Sequence, residues 1–311
     1  MKVGDVERVA VVGAGFMGHG IGQEFAAAGY CVVLQDMSQD QLDLARRRIE
    51  RNLAELAGWG IVPAGAVEPA LERITYTTDL GEAVAAADLV VEAVYEDLDL
   101  KQDVFRALDA LAPARTILGS NTSTFMPSTL AAVTGRPDRV LGIHYFYPPS
   151  FLPLVEVVRG PATSDETVDA VLGLLRRVGK QPIVVQKEAL GFIANRLQFA
   201  LQREALYIVE QGIAAPEDVD RAVKDGFGRR LAVAGPFEIA EPIGWDLEIR
   251  IQRLLFPDLC ASPEPSPLVV EKVERGELGV KTGRGFYEWT EESAEDWRRR
   301  MAEALKEQAS P

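Results

Sequence analysis

Arg8-Val9-Ala10-Val11-Val12-Gly13-Ala14-Gly15-Phe16-Met17-Gly18 decides how this chain folds. Five residues ending in an unbroken apolar run predict a buried strand, and Phe16 to Ala28 predicts a helix closed by Gly29. Between them Gly13, Gly15 and Gly18 stand at the spacing of a dinucleotide-binding turn. Glycines there allow a tight turn and let backbone N–H groups, with those of Phe16 and Met17, approach a pyrophosphate at the positive end of the helix. A second strand, Cys31-Val32-Val33-Leu34-Gln35, ends on Asp36. A carboxylate placed there accepts hydrogen bonds from ribose hydroxyls and repels a 2′-phosphate, so NAD is expected as cofactor rather than NADP. The nearest following arginine, Arg46, falls well inside the next helix.

Working outward, strand and helix signals alternate, the pattern of a mainly parallel Rossmann-like α/β sheet. Ser38 is expected to cap a helix from Gln39 to Ala57. Further strands are expected near Ile74–Tyr76, Leu89–Val91, Thr116–Leu118, Val140–Gly142, Leu154–Val158 and Ile183–Val185. After Gln186-Lys187-Glu188 the spacing becomes helical: Gly191 to Gln211, Pro216 to Val223, Phe237 onwards, and a last helix carrying Trp297, Met301 and Leu305 on one face as packing residues. The expected domains are residues 1–187, binding the dinucleotide, and residues 188–311, all-helical.

The chain has 311 residues, 47% hydrophobic and 26% charged, enough for two cores. A net charge of −14 argues against nucleic acid, which needs a basic face. Two cysteines, Cys31 and Cys260, suit neither a disulfide scaffold nor a metal centre. With no membrane-spanning run and no signal peptide, the expectation is a cytoplasmic protein that acts on a small molecule.

His144-Tyr145-Phe146-Tyr147-Pro148-Pro149 holds one of only two histidines, and Leu154-Val155-Glu156-Val157 follows it. Glu156, flanked by apolar residues, is costly to bury without a partner. Pairing it with His144, expected on a loop just before that strand, holds the imidazole in one orientation and gives a general base. His19, in the first helical turn, has no orienting carboxylate and is expected at the surface or close to the pyrophosphate, not as the base.

These segments together resemble the 3-hydroxyacyl-CoA dehydrogenases over nearly the whole chain. The matching stretches are GAGFMG from Gly13, VVEAVYEDLDLK from Val90, SNTST from Ser120, GIHYFYPP from Gly142, LVEVV from Leu154, GFIANR from Gly191 and GVKTGRGFY from Gly279. The resemblance implies oxidation of a 3-hydroxyacyl-CoA, with His144 as base, Glu156 as its support, and Ser123 and Asn195 on the substrate oxygens. It also implies that Glu96, Lys101, Ser123, Tyr147 and Lys281 line the cofactor, with Asp36 on the ribose, and that the chain forms a homodimer through the helical domain.

Two departures bear on the substrate. Tyr147 stands where the family usually carries asparagine near the nicotinamide. The hairpin between Arg51 and Arg73 lacks the lysine and serine that hold CoA phosphates in the family, and runs Ala57-Gly58-Trp59-Gly60-Ile61-Val62-Pro63 instead. Residues 185–188, 191–198 and 228–235 look like lambda-crystallin, a branch implied to oxidise a sugar acid. The same hydride chemistry on a CoA-free hydroxy acid, carnitine or pyridine alcohol is therefore the alternative, and a non-catalytic NAD-binding protein is a more distant one.

Overall fold

The structure, a computed structural model, describes residues 6–309. One compact unit holds the residues up to Asn195 together with those from Ala302; Arg196–Met301 form the other.

The first unit is built on eight strands: β1 (Arg8–Val12), β2 (Cys31–Gln35), β3 (Ile74–Thr77), β4 (Leu89–Glu92), β5 (Ile117–Ser120), β6 (Val140–Tyr145), β7 (Leu154–Arg159) and β8 (Gln181–Val185). They lie in the order β3-β2-β1-β4-β5-β6-β7-β8. The order β3-β2-β1-β4-β5-β6 is that of a Rossmann sheet, with every neighbouring pair parallel. β7 then runs antiparallel to β6, and β8 parallel to β7.

The helices are α1 (Gly18–Ala27), α2 (Gln39–Gly58), α3 (Val67–Glu72), α4 (Leu80–Val84), α5 (Leu98–Leu111), α6 (Pro127–Ala131), α7 (Asp165–Arg177) and α8 (Ala194–Glu210). The unbroken apolar sequence of β1 follows from coverage on both faces. Val9 and Val11 pack into one core with Ile21, Phe25, Leu42, Ile49 and Val171. Ala10 and Val12 point the other way, into a core with Val90, Phe105, Leu108, Leu118 and Val140. Each such Val or Leu contributes about 1.5–3 kcal/mol of burial. Ser38 caps α2 as predicted, accepting from Gln41 N, and Asp97, not predicted as a cap, does the same for α5 by accepting from Leu100 N.

Two differences from the sequence reading bear on the site. Helix α8 begins at Ala194, not Gly191, because Gly191 and Phe192 both adopt positive φ (+73° and +49°) and break the helical path. His144 lies within β6, not on a loop, since the strand continues to Tyr145 to pair with β7.

The second unit contains α9 (Pro216–Arg221), α10 (Gly228–Leu231), α11 (Pro236–Ala240), α12 (Trp245–Leu255), α13 (Pro267–Glu274) and most of α14 (Glu291–Ala309). The turn after α13 is tied by Lys272, which donates to Gly285 O (2.7 Å) and pairs with Glu277 (3.1 Å), and Tyr287 donates to Asp220 (2.9 Å). Among its described residues only Ala294 is buried, and Trp297 and Met301, expected as packing residues, are exposed.

Candidate active site

The carboxyl ends of the parallel strands carry most of the residues singled out from the sequence. This is where open α/β sheets bind ligands. After β1 the chain turns at Gly13, with φ +98°; a Cβ there would come within 2.6 Å of the Ala93 carbonyl oxygen. A Cβ on Gly18 would stand 1.7 Å from Gly13 O, whereas one on Gly15 would meet nothing within 4 Å. The turn is thus closed tightly on the protein side and open at Gly15. Helix α1 begins just beyond, with no side-chain cap and no acidic residue in its first turn. That leaves a positive helix end free for an anionic group.

Asp36 follows β2 as expected. Its carboxylate accepts from Ala14 N (2.9 Å) and Ser38 N (3.0 Å), which ties it to the glycine turn and leaves lone pairs for ribose hydroxyls. Arg46 is held over the Tyr76 ring, 4.5 Å from its centroid. These features fit a dinucleotide without a 2′-phosphate. His19 does not lie at the surface, one of the two places expected for it. It is buried, its Nδ1–H donates to Gly15 O (2.7 Å), and burial first of all, with the nearby Arg48 and Arg51, lowers its pKa against the raising effect of that bond.

The antiparallel turn of β7 sets His144 directly opposite Glu156. Both side chains are buried, and His144 Nδ1 lies 2.8 Å from Glu156 Oε2. An ionised carboxylate only accepts, so Nδ1 carries the proton and Nε2 presents its lone pair. The second Glu156 oxygen accepts from the N–H groups of Ile193 and Ala194 (2.9 Å each), where α8 starts. Burial pushes the Glu156 pKa up, but the hydrogen bonds from His144, Ala194 and Ile193 outweigh it and hold the carboxyl below the usual range. The positive-φ pair Gly191–Phe192 aims those N–H groups, and Asn195 is the next residue of α8. Glu156 thereby ties the base and the segment carrying Asn195 to one carboxylate.

Ser123 sits on the loop after β5, beside β6 in the sheet. Asn121, on the same loop, accepts from Tyr145 N (2.9 Å), next to His144. Glu96 Oε1 accepts from Thr122 Oγ1 (2.5 Å), Ser123 N (3.1 Å) and Thr124 N (3.1 Å). Burial raises the Glu96 pKa, and Thr122, Lys101 and Thr124 more than compensate, so it lies below the usual range. Tyr147, 53% exposed, stacks on Phe16, 57% exposed, with centroids 3.9 Å apart. The rings of Phe146 and Phe192 flank His144 at 4.6 and 5.5 Å. Lys101 is buried beneath Glu96, and Lys281 lies on an exposed turn of the second unit.

Glu92, Asn121 and Thr122 were not singled out from the sequence. A signal for Glu92 existed: like Glu156, it is a lone carboxylate on an apolar strand.

A family model described as the NAD binding domain of 3-hydroxyacyl-CoA dehydrogenase matches residues 8–189, and one described as its C-terminal domain matches residues 191–289. A probable 3-hydroxybutyryl-CoA dehydrogenase of Bacillus subtilis is 38% identical over 93% of this chain and 100% of its own length. The 5-formyl-3-hydroxy-2-methylpyridine 4-carboxylate 5-dehydrogenase of Mesorhizobium japonicum is 35% identical over 92% of each chain. A crystal structure of an enzyme of that pyridine activity, an NAD+ dependent dismutase, has a TM-score of 0.90 at 34% identity, covering 97% of this chain and 96% of that one. With a Rossmann sheet, a dinucleotide turn and both family domains in sequence, the chain belongs to the 3-hydroxyacyl-CoA dehydrogenase family and is an NAD-dependent oxidoreductase of that type.

Proposed function

We propose that His144 acts as general base in the oxidation of a substrate hydroxyl to a carbonyl, with Glu156 holding the ring and balancing the charge it gains. The observation that carries this reading is the buried 2.8 Å His144–Glu156 bond, which fixes the proton on Nδ1 and leaves Nε2 as acceptor. Bound NAD would supply the hydride acceptor. The glycine turn with Phe16 and Met17 would hold its pyrophosphate, Asp36 its ribose, and Glu96 and Tyr147 the remainder. Ser123 and Asn195 would donate to the substrate oxygens, where donors aimed at developing charge count most. His144 Nε2 takes the hydroxyl proton as the carbon gives up its hydride, a role worth ~10²–10⁴ in rate.

The substrate read first is a 3-hydroxyacyl-CoA, the class for which the family is named. A CoA-free ring alcohol or hydroxy acid is the second reading, and particular observations favour it. The hairpin that holds CoA phosphates in the family has Trp59 here, with Phe151 at 5.7 Å and the Lys306 ammonium at 5.3 Å from its ring. Aromatic rings surround His144, and the TM-score of 0.90 is to an enzyme of a pyridine carboxylate. Each lost charge-assisted contact to a CoA phosphate removes about 1.5–3 kcal/mol, roughly ten- to a hundredfold in affinity.

NADH formation from 3-hydroxybutyryl-CoA, from its pantetheine thioester and from a hydroxymethylpyridine carboxylate separates the two. A kcat/KM at least tenfold higher with the nucleotide supports the first reading. Equal values for the two thioesters, or preference for the pyridine, establish the second.

A further inference from the structure

The last helix of the chain lies beyond the part that matches the family. The family's C-terminal domain ends at residue 289, and α14 begins at Glu291. From Ala302 onwards its last turns belong to the dinucleotide-binding unit. Within them Ala302, Leu305 and Lys306 are half-buried, whereas Glu303, Ala304, Glu307 and Gln308 are exposed. Positions i, i+3 and i+4 share one face of a helix, so one stripe of this segment is seated and the rest meets solvent.

Lys306 is seated on the hairpin after α2. Ile61 N (3.0 Å) and Val62 N (3.3 Å) both donate to Leu56 O, which folds the hairpin back onto the end of α2 and fixes the backbone around Trp59. The Trp59 ring lies 5.7 Å from that of Phe151, on the loop after β6, and carries the Lys306 ammonium over it at 5.3 Å. An aromatic face that holds a cation is lost to any other stacking partner. A CoA nucleotide would bring to this hairpin an adenine, which binds by stacking, and a diphosphate and 3′-phosphate, which bind cations. Here the ring face is taken, and the segment that takes it carries two glutamates, Glu303 and Glu307, to one lysine. Both the stacking surface and the charge are set against a nucleotide.

We infer that the last turns of α14 are a specificity-determining element: Lys306 clamps them over Trp59 and keeps the nucleotide of CoA off the hairpin, which selects hydroxy substrates without it. This rests on the second substrate reading and gives it a structural cause, and the test keeps the two apart.

Calorimetry on the full-length protein, saturated with NAD, gives the dissociation constants of CoA and of pantetheine, which lacks the nucleotide. Wild type is expected to bind CoA no more tightly than pantetheine. Ala304 is exposed, but a proline there cannot donate to the Arg300 carbonyl and its ring collides with it, so in Ala304→Pro the last turns leave the hairpin. Adenine stacking on the uncovered indole is then expected to tighten CoA roughly five- to a hundredfold, with pantetheine and NAD affinities within about twofold. Lys306→Ala removes only the cation and is expected to tighten CoA roughly two- to thirtyfold, and it decides by the same readout should Ala304→Pro fail to fold. Damage to the fold does not produce a gain confined to the nucleotide. CoA affinity unchanged in both variants, with wild type indifferent to the nucleotide, overturns the inference and leaves the second reading standing. Wild type binding CoA about tenfold more tightly than pantetheine, or better, overturns both.

Discussion

Glu156 is wholly buried between apolar neighbours, and three hydrogen-bond donors keep it ionised. Its pKa in the folded chain is lowered, so the unfolded chain binds the proton more tightly. The resulting stability is present above the ordinary carboxylate range and is lost as pH falls through the folded value. Melting temperature followed from about pH 6 to about pH 3 should therefore fall more steeply in wild type than in Glu156→Gln. Equal slopes would show that Glu156 does not couple folding to protonation. The same substitution is expected to lower kcat at least ~10-fold, within the general-base contribution, because the ring loses its fixed orientation.

At the scale of elements, the strand–turn–helix from Arg8 to Ala27 was legible because its signals are local: an apolar run, three glycines at fixed spacing, and an acid ending the next strand. The turn around Asp36 yields a prediction of the same kind. Asp36→Ser with Met37→Arg should weaken NAD binding and admit NADP, measured as the ratio of kcat/KM for the two; a wild type already preferring NADP would contradict the reading of that turn. The His144–Glu156 pairing was legible from chemistry, but its cause was not. Periodicity identifies a strand without giving its direction, and it is the antiparallel run of β7 that puts the two residues opposite each other. The start of α8 was misplaced because apolar spacing cannot reveal that Phe192 takes a positive φ to aim two N–H groups at Glu156. The burial of Lys101 was hidden for a different reason. The resemblance implies that Lys101 lines the cofactor, and its burial against Glu92 follows from the three-dimensional path of β4 and α5.

For the whole molecule, the second unit poses the clearest physical problem. Among the described residues of Arg196–Met301 only Ala294 is buried, while Phe199, Ile213, Phe237, Leu254 and Phe256 are exposed. Apolar surface on this scale marks association, and a homodimer through the helical unit is proposed. Light scattering at micromolar concentration should give twice the chain mass of a 311-residue protein, and a monomer would count against it. No helix among the described residues is long and apolar enough to cross a membrane. NADH formation by wild type and His144→Ala, each saturated with NAD and the preferred alcohol, tests the role of the base most directly. Turnover lower by ~10²–10⁴ in His144→Ala, with NAD affinity retained, is the predicted result. Near wild-type turnover in that variant would contradict it.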